Sequence, residues 1–180
     1  MGTTVFHREI CGTLTDYAIC CILYMQLCRC GTNRKEFAMY LNDLKKGMEI
    51  DIPAVVIDKE KMMDFARLYD PIPLHCDEEY AKHTRFGKLI APGVMSFMAV
   101  WAKFVENDIF GDELIAGKST KIEWFKPVFA EDTLKGTARI SDVIKRNDYN
   151  GIAEITIDVY NQDGELVLTN VTESVVKYRR

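Results

Sequence analysis

A chain of 180 residues with 48% apolar and 28% charged residues has the size and balance of a soluble globular protein with one buried core. A formal net charge of -4 and a pI near 5.5 argue against a polyanion-binding surface, since phosphate backbones attract clustered Lys and Arg. Nucleic acid is therefore not an expected partner.

Residues 1–38 stand apart from the rest. Cys11, Cys20, Cys21, Cys28 and Cys30 crowd this stretch, and only Cys76 lies beyond it. A disulfide framework would be spread through the fold it staples, and a zinc site would need paired ligands at two places, so incidental thiols in a reducing compartment and no metal are expected. The apolar run from Tyr17 to Leu27 has about half the ~20 residues of a membrane-spanning helix. Glu9 and Asp16 before it and Cys28-Arg29-Cys30 after it do not suit a secretory signal, and Phe6 stands where myristoylation of Gly2 would need Ser or Thr. A cytoplasmic protein with no membrane span is the expectation. Because Met39 opens a stretch patterned as a complete domain, residues 1–38 are read as a poorly packed extension foreign to the natural protein, and 39–180 as the domain.

Asp51 to Ile57 is a β-branched run whose Pro53 suits an edge strand. Asp58 then reads as an N-cap, with Met62, Phe65, Ala66 and Tyr69 at helical spacing, and that helix must stop before Pro71. A second short helix is predicted after Asp77, broken at Phe86-Gly87. The longest apolar helix starts at Pro92, read as its first helical position, and carries Val94, Phe97, Met98, Trp101, Phe104 and Val105; bulk nearly all round predicts burial. Four strands follow, over 118–125, 133–145, 152–160 and 166–177, and are read as an antiparallel meander. Gly151 and Gly164 are expected to supply the positive φ of two hairpin turns. One strand, then helices, then strands predicts an α+β fold, a curved antiparallel sheet wrapped around the helix that begins at Pro92.

The segment richest in chemistry is Asp70-Pro71-Ile72-Pro73-Leu74-His75-Cys76-Asp77, followed by Phe86-Gly87 and by Ala91-Pro92-Gly93 at a helix start. Pro71 and Pro73 stiffen the loop between Asp70 and His75, so both side chains can be presented to one point with little entropy left to lose. A carboxyl and an imidazole flanking one water suit addition of water across an activated double bond, where one group takes a proton from water and another delivers one to carbon. Gly93 presents the nearest free helix N–H, because Pro92 has none, and its missing side chain permits close approach. An Asp before Pro, taken alone, is a turn or helix end; the His at this spacing and the Gly-led helix favour function. His83 reads as a solvated helix residue, Asp77 as a cap, Trp101 as core, and Cys76 as no nucleophile merely for adjoining His75. Neither Asp70 nor His75 is expected to be a core-packing residue.

These landmarks, with Trp124-Phe-Lys-Pro-Val128 and Glu131-Asp-Thr-Leu134 after the central helix, resemble the MaoC-like (R)-specific enoyl-CoA hydratases over almost all of residues 45–177. The resemblance implies a hot-dog fold and reversible hydration of a trans-2-enoyl-CoA to an (R)-3-hydroxyacyl-CoA. It implies Asp70 and His75 as the acid–base pair and the Gly93 backbone N–H as oxyanion donor. Ile72, Phe86, Met95 and Phe97 are the implied pocket residues. No cofactor is implied beyond coenzyme A as part of the acyl-CoA substrate, and a homodimer or larger assembly is expected. The sequence departs from many such hydratases in having Ile72 where Asn is common and Pro92 where His is common. A hot-dog thioesterase is the first alternative, disfavoured because no Asp or Glu lies between Gly93 and Lys103. A non-catalytic acyl-CoA-binding domain is the second, kept open by Ile72.

Overall fold

The computed structural model describes residues 38–180. The expectations attached to the cysteine cluster, His7 and the apolar run after Tyr17 lie outside the described residues.

A 3-10 turn (Leu41–Asp43) that buries Leu41 precedes the first strand, β1 (Glu49–Val56). Its register on its neighbour shifts between Ile52 and Val55, around Pro53, and β1 is an edge strand, so the missing proline N–H breaks no ladder that matters. Helix α1 (Lys59–Tyr69) starts where Asp58 accepts a hydrogen bond from the Lys61 N–H at 2.8 Å. It buries Met62 and Ala66 and ends at Asp70, because Pro71 cannot continue it. Two single turns follow, α2 (Pro73–Cys76) and α3 (Glu78–Lys82). The loop expected between Pro71 and His75 is thus partly helical: Pro73 occupies the first helical position, where its fixed φ suits a helix and its lack of N–H costs nothing. Asp77 caps α3 through the Tyr80 N–H, 3.0 Å away.

Helix α4 (Gly93–Val105) is the long one. Pro92 is its N-cap rather than its first residue, with an extended ψ of 131°. One face is buried through Ser96, Phe97, Val100 and Phe104, while Val94 and Met98 remain exposed, so the helix is not covered all round as its composition suggests. It packs chiefly against β1 and, less, against β3. Gly136 admits it: a Cβ there would lie 3.2 Å from Val100 Cγ1.

Strands β2 (Leu114–Trp124), β3 (Thr133–Lys145), β4 (Asn150–Tyr160) and β5 (Leu166–Lys177) complete one antiparallel sheet in the order β1-β3-β4-β5-β2. Only β3, β4 and β5 form the expected meander; β2 pairs with β5 at the far edge. The reason lies in the connections. Tight turns join β3 to β4 and β4 to β5, whereas the backbone between β2 and β3 is engaged elsewhere: Val128 accepts from the Ala91 N–H at 2.7 Å, and Phe129 bridges Ile90. Gly164 has the expected positive φ of 75°. Gly151 does not; it is a strand residue opposite Lys145, and Asn147 makes that turn by accepting from the Tyr149 and Asn150 N–H groups. Glycine is needed at 151 because the Ile144 carbonyl and the Leu41 side chain press where a Cβ would be.

The core lies between α4 and the inward faces of the strands, with Ile52, Val100, Phe104, Leu134, Ile140, Ile155, Ile157 and Leu168 among its members. Among the described residues no helix is long and apolar enough to cross a membrane.

Candidate active site

Asp70 and His75 meet. Asp70 is the C-cap of α1 and His75 lies in the single turn α2, so the reversal between them is set by Pro71 and Pro73. The Ile72 N–H donates to the Asp70 carbonyl at 2.8 Å, and the His75 N–H donates to the Ile72 carbonyl at 3.0 Å, closing the turn. The result is a carboxylate Oδ2 placed 3.4 Å from the imidazole Nε2.

The other ring nitrogen is held as well. His75 Nδ1 lies 2.7 Å from the Ile90 carbonyl oxygen. A carbonyl only accepts, so Nδ1 carries a proton and Nε2 is the ring atom that faces Asp70, free to take or give one. Ile90 is itself fixed, bridged to Phe129 and flanked by the buried Leu89 and Ala91. His75 is consequently only 6% exposed, which corrects the expectation that it stays out of the packing: the apolar segment before α4 closes over it. The Asp70 side chain is 44% exposed. One water could hydrogen-bond both groups, since their 3.4 Å separation is well under twice the usual bond length of about 2.8 Å.

Gly93 lies three residues beyond Ile90, at the first position of α4, where a helix leaves its N–H groups without intrahelical partners. Among the described residues its N–H has no hydrogen-bond partner. A contact that the sequence did not signal is that of the Trp124 indole, which lies against Gly93. A Cβ at position 93 would sit 2.7 Å from Trp124 Nε1 and 2.8 Å from Cε2, so only glycine fits beneath the ring. Thirty residues of chain lie between the two, and no periodicity links them. The Ile90 carbonyl, equally unforeseen, is a backbone group that no side-chain pattern advertises.

The expected pocket residues differ in exposure. Ile72 is half exposed beside the pair. Phe86 is partly buried, with the Arg85 guanidinium 4.7 Å from its ring centroid. Met95 is partly buried against the core. Phe97 belongs to the core itself, stacked at 5.7 Å on Trp101. His83 ends α3 and is exposed, and Cys76 is a free thiol.

Comparison with known proteins bears on the fold and the family. Residues 43–161, well over half of the chain, match the family described as MaoC like domain. The protein YdeM of Bacillus subtilis (strain 168) is 29% identical over 125 residues, covering 69% of this chain and 89% of that protein. The X-ray structure of a monoamine oxidase regulatory protein from Archaeoglobus fulgius superposes with a TM-score of 0.76 at 27% identity, over 81% of this chain and 98% of that one. A crystal structure described as the MaoC-like dehydratase from Rhodospirillum rubrum gives 0.69 at 29% identity, over 79% and 99%.

Proposed function

This chain belongs to the MaoC-like domain family, with the hot-dog fold, and on that premise we propose that it reversibly hydrates trans-2-enoyl-CoA to (R)-3-hydroxyacyl-CoA. The observation that carries the reading is the Asp70–His75 contact, with the imidazole oriented from behind by the Ile90 carbonyl. The structural relative described as a dehydratase supports it.

The chemistry balances on this pair. Hydration adds the water oxygen to C3 of the enoyl group, shifts the C2=C3 electron pair toward the thioester oxygen, and places a proton on C2. One member of the pair takes a proton from water while the other gives one up, so the pair must hold one mobile proton at the start. After the addition the two have exchanged roles, and 3.4 Å is a short path for the proton to return. Negative charge on the thioester oxygen is met by the free Gly93 N–H at the positive end of α4. No metal or redox cofactor is called for. Water addition needs Asp70 to stay reachable, as its half-exposed carboxylate is.

A thioesterase would place its acidic residue on or beside the central helix, and α4 has none from Gly93 to Val105. The substrate acyl-CoA and a homodimer or larger assembly belong to this same reading. Following loss of the conjugated thioester absorbance of crotonyl-CoA tests it directly. Turnover by the unmodified protein supports the reading; inactivity across a panel of enoyl-CoAs rejects it in favour of a non-catalytic acyl-CoA-binding domain, to which the half-exposed Ile72 beside the pair would then belong.

A further inference from the structure

The Trp124 indole is held in place from both sides along its strand. Four residues earlier, Thr120 takes part in a closed ring of hydrogen bonds. Asn170 Nδ2 donates to Thr120 Oγ1 at 2.6 Å, and Thr172 Oγ1 donates to Asn170 Oδ1 at 2.9 Å. Thr172 has then used its one proton, so Thr120 donates in the 2.8 Å contact between the two threonine hydroxyls. Every member of the ring gives and receives, which suits groups as buried as Asn170 and Thr172. Asn170 Nδ2 also donates to the Lys121 carbonyl at 3.1 Å. A one-residue slip of β2 on β5 would break the three of these bonds that cross between the strands, so they pin the register that sets Trp124 opposite Leu168. Beyond Trp124, the Phe125 N–H donates to the Val167 carbonyl at 2.9 Å. The position of the indole over Gly93 is therefore a property of the sheet and not of a loose loop.

Three features of the indole bear on a ligand. It touches the glycine whose N–H faces the reacting carbonyl in the proposed reaction. It remains 47% exposed, and its own N–H has no acceptor among the described residues. Val94 and Met98, one helical turn apart on α4, leave further apolar surface uncovered after Gly93. A thioester oxygen that reaches the Gly93 N–H must bring its neighbouring carbons past the ring.

We propose that Trp124 is the specificity-determining residue of this site, a wall over Gly93 that admits flat, straight-chain 2-enoyl groups and excludes those branched at C2. This rests on the hydratase reading for the location of the carbonyl, and it adds the acyl class. In the proposed pose a C2 methyl group adds bulk beside the ring, which already leaves no room for a Cβ at position 93. One methyl group against a fixed wall is worth roughly 10- to 200-fold in kcat/KM.

The experiment has two arms. In the first, the ratio of kcat/KM for crotonyl-CoA over 2-methylcrotonyl-CoA is measured for the unmodified protein, Trp124→Phe and Trp124→Ala. The ratio should fall at least about 10-fold in Trp124→Ala and less in Trp124→Phe, which keeps a smaller ring; an unchanged ratio in both overturns the proposal. In the second, Trp101→Phe leaves Trp124 as the sole indole, because the chain has 2 tryptophans, and its emission is followed while butyryl-CoA, which cannot be hydrated, is added. A saturable change supports the wall. An unchanged emission in a variant that still hydrates crotonyl-CoA overturns it and leaves the hydratase reading standing. A saturable change in a protein that hydrates no enoyl-CoA rejects that reading and keeps the acyl-binding wall. Should Trp124→Ala fail to fold, Trp124→Phe and the emission arm decide the question.

Discussion

The middle of the sheet and the approach to α4 are built to opposite rules. In β3 and β4, Leu134, Ala138, Ile140, Ile155, Ile157 and Val159 all point inward and are essentially sealed from solvent, and both strands are paired along both edges. Ile72 between Asp70 and His75, and Val94, Met98 and Trp124 at the start of α4, stay substantially exposed, and the carboxylate is open to water. Apolar surface left in water forgoes about 25 cal/mol for each Å², so the second region sacrifices stability that the first collects. Stability therefore resides in the middle of the sheet, and the candidate site is left open.

Substitutions can break this contrast. The largest effects should be catalytic: Asp70→Asn and His75→Ala are each expected to lower kcat/KM for crotonyl-CoA by roughly 10²–10⁴-fold, and near-normal rates in both would discard the acid–base pair. In the sheet, Ile155→Ala should cost about 2–5 kcal/mol of unfolding free energy in urea, against less than about 0.5 kcal/mol for the exposed Leu68→Ala. A comparable loss at both positions would refute the division. The two members of the pair should themselves differ in stability. Removing the His75 ring leaves the Ile90 carbonyl without its donor, for about 1–3 kcal/mol, while Asp70→Asn keeps the shape of a half-exposed group and should stay within about 0.5 kcal/mol. Denaturation midpoints of the two variants measure this directly.

Smaller effects sharpen the picture at the edges of the sheet. Gly164→Ala should cost about 1–2 kcal/mol from backbone strain alone, since its φ is 75° and nothing lies within 4 Å of a Cβ there; a neutral result in thermal melts would show that the turn relaxes. The smallest expected effect is at Glu173 on β5, whose carboxyl is held below its ordinary value of 4.5 by a hydrogen bond from Lys118, then by one from Ser119. A depressed carboxyl contributes stability above its ordinary value and loses it as pH falls through the folded one. Glu173→Gln should accordingly show a slightly shallower loss of Tm between neutral and acid pH, screened by salt; an identical acid limb would show that the β2–β5 ion pair contributes nothing.

Part of the molecule was legible because its causes are local. Asp58 and Asp77 announce helix starts through their own side chains, Pro71 ends α1 by its missing N–H, and β-branched alternation marks the strands. The Asp70–His75 pair belongs to this group, since five residues and two prolines confine it within one turn. The Gly151 turn misled because Asn147 could supply the same reversal one step earlier, leaving Gly151 to answer a packing demand from Leu41.

What the sequence alone determined, then, is most of the elements, the α+β class and the closeness of Asp70 to His75, all consequences of neighbours within a few residues. Tertiary structure alone decided that β2 crosses to β5, that α4 leaves Val94 and Met98 uncovered, that the Ile90 carbonyl orients His75, and that Trp124 lies over Gly93. Each of these joins groups far apart in the chain, and the match of surfaces and backbone hydrogen bonds that brings them together has no signature in the order of residues along either partner.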